Sequence, residues 1–472
     1  MTDLAIAAVG AYAPHDRLPA AAVREALGRF EAAGVERTAV PAVDEDALTM
    51  AHEAAERALT AAAIDRSTLT RLAVATTTPP VDEEDLTPRL VSTLGLEPEV
   101  ETGLLTGSTH AGCSALSSGL EAPGPALVIA SDAPRGAPDD AIDHAGGAGA
   151  VAFVLAPEGG ASVVDQHTVT NAYPGTRFRA RGDAEPTGLG ITAYDRQAFA
   201  ETIGATADGV ETDEVDAVAV QAPDGKRPYR AAGRLGVGTD AIQRCATVHE
   251  LGDTGAASAL LSLAVALEDG AERVLVAGYG SGAVATTMVV ARDETVEVDL
   301  DLDAGEELTY TQALRRRGTL SSGEPAGGGA YVSIPTWRRS LPQRHRLEAG
   351  VCPDCAAVTF PPEGVCDGCG DLVTFTVHPL PGTGTVEAVT TIQQGGAPPE
   401  FVDQQARSGP YQSAIVSFDA PGGETVSIPA QVVGEVAVGD RVETVIRRIY
   451  AQEDVIRYGF KIRRRPHERT RT

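Results

Sequence analysis

Cys352-Pro353-Asp354-Cys355 and Cys366-Asp367-Gly368-Cys369 are two CxxC knuckles with ten residues between them, in a chain whose other cysteines are Cys113 and Cys245. A CxxC pair turns tightly enough to point both sulfurs one way, and two such pairs can surround one zinc ion tetrahedrally. Gly368 and Gly370 supply the permissive backbone such turns need. A disulfide pair or a redox CxxC are the alternatives. Matched knuckles in a chain without secretory features favour a structural zinc ribbon, with Cys352, Cys355, Cys366 and Cys369 as ligands. The ribbon divides the 472 residues into a long body before it and a short module after it.

The formal charge is −28, and the lysines are Lys226 and Lys461, every other fixed cation being arginine. An acidic, lysine-poor surface reads as a solvation strategy for high salt, and it argues against general nucleic-acid binding by the body. The basic run Lys461-Ile462-Arg463-Arg464-Arg465 is the local exception and reads as a strand or tail lying on an acidic neighbour. Met1 leads into an ordinary strand-like segment, and no apolar run reaches the length of a membrane span. The expectation is a cytoplasmic protein with no membrane partner.

The body alternates apolar runs with alanine-rich helical stretches. Leu4–Val9, Leu72–Thr77, Ala126–Ser131 and Val151–Leu155 read as strands, and Thr49–Ala63 as a helix. A similar order recurs: strand Val215–Val220, helices Tyr229–Leu235 and Ser258–Leu267, strand Val274–Tyr279, and Thr286–Val290 as its antiparallel neighbour. Two αβ-alternating halves, 1–162 and 163–322, predict an internally duplicated, layered α/β fold. A linker and strap follow over 323–347, with the glycine- and serine-rich stretch Ser321–Gly329 at its start. The ribbon is placed at 348–380. Over 381–472, five short alternating strands predict a small closed β-barrel of the OB type: Thr385–Thr391, Gln412–Phe418, Thr425–Val433, Arg441–Tyr450 and Ile456–Ile462.

Cys113 stands in Ser108-Thr109-His110-Ala111-Gly112-Cys113-Ser114-Ala115, small residues before it and an apolar helical stretch after it. A cysteine at a helix start gains thiolate character; a buried, inert cysteine is the competing reading. With Asp44–Ala51, Ala130-Ser131-Asp132-Ala133-Pro134-Arg135-Gly136, Ala148-Gly149-Ala150, Pro223-Asp224-Gly225-Lys226, Leu251-Gly252-Asp253-Thr254-Gly255 and Tyr279-Gly280-Ser281-Gly282, the body resembles the 3-hydroxy-3-methylglutaryl-CoA synthase branch of the thiolase-fold condensing enzymes. The last third resembles the rubredoxin-like zinc-ribbon and OB-fold proteins that, in archaea, bridge a thiolase and this synthase; here the two are fused, in what reads as a haloarchaeal type.

The resemblance implies a thiolase-like fold, a homodimer, a CoA thioester as substrate or ligand, an acetoacetyl-CoA thiolase as partner, and a place in isoprenoid or lipid metabolism. Cys113 falls at the nucleophile. Lys226, Gly280 and Gly282 fall where the family's loops face CoA, a lysine there suiting a phosphate and a solvent-facing loop residue being the alternative. A condensing synthase needs an acyl-carrying cysteine, a carboxylate base and a carbonyl-polarising histidine. The base position falls at Thr78 and the histidine position at Gln221, while a position usually asparagine is Asp253. Glutamine can donate to an oxyanion but cannot shuttle a proton, and threonine is no base near neutral pH. His110, Glu83, Glu84 and His249 are the substitutes within reach along the chain.

The expectation is an acyl-CoA-handling protein that transfers an acyl group through Cys113, two of the three condensing groups having changed. A catalytically degenerate scaffold that binds acyl-CoA or a thiolase partner is the alternative. A nucleic-acid-binding barrel ranks last. Phe401, Tyr411, Phe418, Tyr450, Tyr458 and Phe460 are available, but basic residues gather only near Arg447-Arg448 and the C-terminal run.

Overall fold

The computed structural model describes residues 4–212, 214–320, 339–393, 395–452 and 455–465; the expected linker at 321–329 and Trp337 lie outside the described residues. The chain divides into two compact units, Met1–Leu314 and Arg315–Thr472.

The first unit is built on one ten-stranded sheet. In its first half, Ala5–Tyr12 lies antiparallel to Gly149–Ala156, which lies antiparallel to Ala126–Asp132, followed by the parallel strands Arg71–Ala75 and Glu101–Leu105. The second half repeats that order. Ala161–Tyr173 lies antiparallel to Gly282–Arg292, then antiparallel Arg273–Gly280, then parallel Ala217–Val220. The repeat is the duplication expected from the sequence, seen as strand order. Every residue of Ala126–Asp132 is buried, because the strand is covered on both faces and therefore reads as a continuous apolar run.

One face carries the helix Ala47–Ala62, packed on Ala5–Tyr12 and Gly149–Ala156. Asp46 starts it with a capping box, its carboxylate accepting from Leu48 and Thr49 amides while Thr49 Oγ1 accepts from the Asp46 amide. Helices Ala111–Leu120 and Ser258–Glu268 are the corresponding helices of the two halves, each preceding its half's central strand, and they share the main apolar core.

Several elements are absent from the sequence reading, among them helices Ala20–Leu27 and Thr87–Leu94, strands Glu101–Leu105 and Glu297–Asp301, and the two described next. Strand Ala161–Tyr173 exposes every second residue from Val164 to Ala172, so it lacks the all-apolar signature of its neighbours. Helix Thr192–Ala207 buries Ala198, Phe199, Thr202, Ile203 and Thr206. The helical spacing is present, but two of the five positions are threonine, which flattens the apolar stripe.

In the second unit, Val358–Thr359, Glu348–Val351 and Thr376–Pro379 form the three-stranded ribbon sheet. The five expected barrel strands are Thr383–Ile392, Tyr411–Asp419, Thr425–Val433, Arg441–Gln452 and Val455–Arg464. They close in the order first, second, third, fifth, fourth, with the third and fifth parallel through Val432 and Ile462. That is a five-stranded OB-type barrel. Ribbon residues Ala349 and Val358 belong to the same apolar cluster as barrel residues Val416, Phe418, Ile428 and Ile462.

Candidate active site and candidate metal centre

Cys113 occupies the first turn of Ala111–Leu120, but its thiol is enclosed. Only 2 % of the residue is exposed, and burial pushes the pKa up to about 12. The lowering expected at a helix start is therefore corrected: burial removes the hydration a thiolate needs, and the Gly278 backbone bond opposes the rise only in part. Three glycines bring the surrounding backbone this close. A Cβ at Gly278 would lie 2.3 Å from Cys113 Sγ, and one at Gly280 would lie 2.3 Å from Ser108 Oγ. One at Gly112 would lie 2.1 Å from the Ala256 carbonyl oxygen. Gly278 and Gly280 alternate onto one face of Arg273–Gly280, so that face receives the segment Ser108–Cys113. Gly280, expected at a CoA-facing turn, packs closely on Ser108 and His110. Gly282 begins the next strand, its amide donating to Thr176 Oγ1 at 3.4 Å.

Gly278→Ala is expected to destabilise the first unit by about 1–3 kcal/mol, the usual cost of forcing atoms into a packed core. Combining it with Cys113→Ala removes the sulfur and should recover more than half of that loss. Additive losses in chemical denaturation would show that the contact is not the cause.

The turn Gly255–Ala257 joins the remaining groups. Asp132, fully buried, accepts from Thr76 Oγ1 at 3.1 Å, Thr77 N at 2.9 Å, Thr77 Oγ1 at 2.7 Å, Thr78 Oγ1 at 2.6 Å and Ala256 N at 2.7 Å. Burial raises its pKa from the ordinary carboxylate value, and those bonds oppose the rise. A carboxylate offers about four lone-pair sites, and five donors leave none for a substrate proton. Thr78, expected at the base position, also accepts from Ala133 N at 3.0 Å.

Gln221 is buried and donates its amide to the Gly255 carbonyl at 2.9 Å. Asp253 accepts from Gly255 N at 2.9 Å through one oxygen and from Arg177 Nη1 at 2.8 Å through the other. The buried Asp253 is therefore half of an ion pair. Arg177 is a site residue that the sequence reading missed. It lies 76 positions before Asp253, and no local pattern marks it.

The substitutes are already engaged with other groups. His110 bonds Thr286 Oγ1 at 2.7 Å and Ser114 Oγ at 3.0 Å, and burial lowers its pKa, leaving a neutral ring with both nitrogens partnered. His249 bridges Tyr229 OH at 2.7 Å and the Gly34 carbonyl at 2.6 Å. Glu83 and Glu84 are exposed and face Arg181 and Arg89. Lys226 is exposed at the start of helix Arg227–Leu235, where its amide donates to Asp224 Oδ1 at 2.8 Å. Cys245, buried with its pKa pushed up to about 12, donates to the Val218 carbonyl and is structural.

In the ribbon the four thiols lie within 4.8 Å of one another, with Cys352–Cys369 at 3.9 Å and Cys355–Cys366 at 3.5 Å. A tetrahedron of sulfurs at about 2.3 Å from zinc has edges of about 3.8 Å, and a disulfide needs about 2.05 Å, so the donor set fits zinc. The knuckles are built alike: Ala356 N donates to Cys352 O and Gly370 N to Cys366 O, each at 3.0 Å.

In the barrel, Phe401 lies 6.1 Å from Tyr411 and 6.0 Å from Tyr450, each ring meeting the next at an angle rather than presenting an open face. Arg463 pairs with Glu443, Arg464 with Asp440 and Arg441 with Asp419, while Lys461 is buried. The basic run therefore lies on acidic neighbours, as expected, and forms no open basic groove. Among the described residues no helix is long and apolar enough to cross a membrane.

The domain family described as ChsH2, rubredoxin-like zinc ribbon domain, matches residues 339–373, a span that includes helix Leu341–Arg346 ahead of the ribbon strands. The N-terminal part is similar to archaeal hydroxymethylglutaryl-CoA synthases. Identity is 29% over 295 residues with the Aeropyrum pernix protein, covering 58% of this chain and 81% of that one. It is 27% over 312 residues with the Methanopyrus kandleri protein, covering 62% and 88%. Among solved structures, an HMG-CoA synthase complexed with CoA superposes with a TM-score of 0.61 at 17% identity, covering 70% of this chain and 95% of that one. The HMG synthase of the curacin biosynthetic pathway, in complex with acetyl donor-ACP, gives 0.59 at 18%, covering 71% and 94%. The N-terminal part therefore has the thiolase-like fold of HMG-CoA synthases, followed by a rubredoxin-like zinc ribbon and a closed five-stranded barrel.

Proposed function

We propose that this protein binds acyl thioesters and carries an acyl group on Cys113 without performing the condensation of its synthase relatives. The observation behind this reading is the Thr78 hydroxyl, which donates to Asp132 at 2.6 Å, at the position where the resemblance would put a carboxylate base. Relatives of the same fold have been solved with CoA and with a donor acyl carrier protein, which supports a pantetheine thioester as the ligand class. Attack by Cys113 Sγ on a thioester carbonyl would form the acyl-cysteine and release the carrier thiol, which takes the proton. Backbone amides near the helix start, or the second N–H of the Gln221 amide that already donates once to Gly255, would hold the oxyanion. Lys226, exposed in its loop, is the proposed partner of a ligand phosphate.

The second reading, a scaffold that binds acyl-CoA or a thiolase without covalent chemistry, draws support from the enclosed thiol and the partnered His110, Gln221 and Asp253. Homodimerisation, a cytoplasmic location and adaptation to high salt belong to the proposal as well, the last resting on the −28 charge. Intact-protein mass after incubation with acetyl-CoA separates the two readings. An acetyl adduct that is absent in Cys113→Ala is expected; no adduct with acetyl-CoA or longer acyl-CoAs would leave the scaffold.

A further inference from the structure

From Pro174 to Gln197 no side chain is buried. The stretch 174–191 folds back on itself through paired bonds between Phe178 and Thr187, with Phe178, Leu189 and Ile191 left 45%, 57% and 54% exposed. It has no apolar core of its own. Three of its polar ties to the rest of the unit fall on the loop Thr76–Thr78, the turn Asp253–Gly255 and the strand start at Gly282. Arg177 binds Asp253, Arg179 Nη2 donates to the Thr77 carbonyl at 3.1 Å, and Gly282 N donates to Thr176 Oγ1. Gly175 and Gly190 stand near its two ends with φ of +84° and +69°, and Gly182 turns its tip with φ of +93°. A segment with few buried apolar contacts opens at low free-energy cost, and left-handed glycines at its ends can absorb the change in backbone angles.

We propose that residues 174–191 form a strap across the Cys113 site, latched by the Arg177–Asp253 ion pair, and that the Cys113 thiol becomes reactive when the latch releases. The strap ties together the loop Thr76–Thr78, the turn Asp253–Gly255 and the strand start at Gly282. The Asp253–Gly255 turn leads into Ala256, which packs against Gly112 in the first turn of the Cys113 helix, and Gly282 follows Gly280, which packs against Ser108 and His110 just before that helix. Release exchanges the Arg177 and Arg179 bonds for water and takes no side chain out of the first unit's core, because no strap side chain belongs to it.

The test is labelling of the native, zinc-loaded full chain with iodoacetamide, read by peptide mass at Cys113 and Cys245. Cys245 is the internal control: 1 % exposed, bonded to Val218 and partnered by no strap residue, it reports unfolding of the unit. Arg177→Ala is expected to raise the Cys113 rate about tenfold or more and leave Cys245 unchanged, as expected for a local opening made easier by about 1.4 kcal/mol. Arg177→Ala leaves a buried charge unpaired and can disturb folding. Asp253→Asn keeps the hydrogen-bonding shape without the charge, and a smaller rise in the same direction is expected. A Cys113-to-Cys245 rate ratio unchanged in both variants, or both cysteines rising in step, would overturn the strap. Iodoacetamide needs no acyl ligand, so a failure of the acyl-transfer proposal leaves this result standing.

Discussion

Stripping zinc with a chelator, or replacing Cys366 by serine, is expected to unfold the ribbon over residues 348–380. The ribbon sheet has three short strands, and its knuckles are closed mainly by the four thiols. Structural zinc contributes on the order of 10–16 kcal/mol of apparent binding free energy in small ribbons, more than such a sheet supplies by packing. Ala349 and Val358 share an apolar cluster with the barrel, so loosening should extend into barrel strands around Val386 and Val416. Hydrogen exchange with mass readout is the measurement: protection should fall steeply in the ribbon, modestly in the barrel, and remain over residues 4–314. Ribbon protection that survives metal removal, with Cys352, Cys355, Cys366 and Cys369 still reduced, would contradict the zinc assignment.

Hydroxymethylglutaryl-CoA formation from acetyl-CoA and acetoacetyl-CoA is expected to run at least about 10²–10⁴ slower than in a synthase with its full set of groups, the range that general-base catalysis supplies. Thr78 cannot take the proton, Asp132 has no free lone pair, and His110 has both ring nitrogens engaged. Restoring the family residues by Thr78→Glu with Gln221→His is expected to fail as well. A glutamate at 78 would remove a donor from Asp132 and set a second carboxylate beside it, and like charges in a buried site disfavour ionisation of both. The comparison is product formation by the natural protein, by the double variant and by Cys113→Ala. Turnover of several per second that disappears with Cys113 would refute the non-condensing reading.

The sequence by itself determined what depends on near neighbours along the chain. CxxC spacing places two sulfurs on one turn, alternation places the five barrel strands, and alanine-rich periodicity places Ala47–Ala62 and Ser258–Glu268. The resemblance also gave the expectation that Thr78 and Gln221 stand where a base and a histidine would be, because residue chemistry at a motif position needs no coordinates. The protonation of Cys113 was decided by tertiary structure: a helix start predicts a lowered thiol pKa, and enclosure against Gly278 raises it instead. Tertiary structure alone gathered Thr76, Thr77, Thr78 and Ala256 around Asp132, paired Arg177 with Asp253, and engaged His249 with Gly34 and Glu83 with Arg181. The physical reason is common to all of them. Desolvation and hydrogen bonding act through space over a few ångströms, between residues tens to more than a hundred positions apart, and sequence spacing carries no record of which distant donor reaches which acceptor.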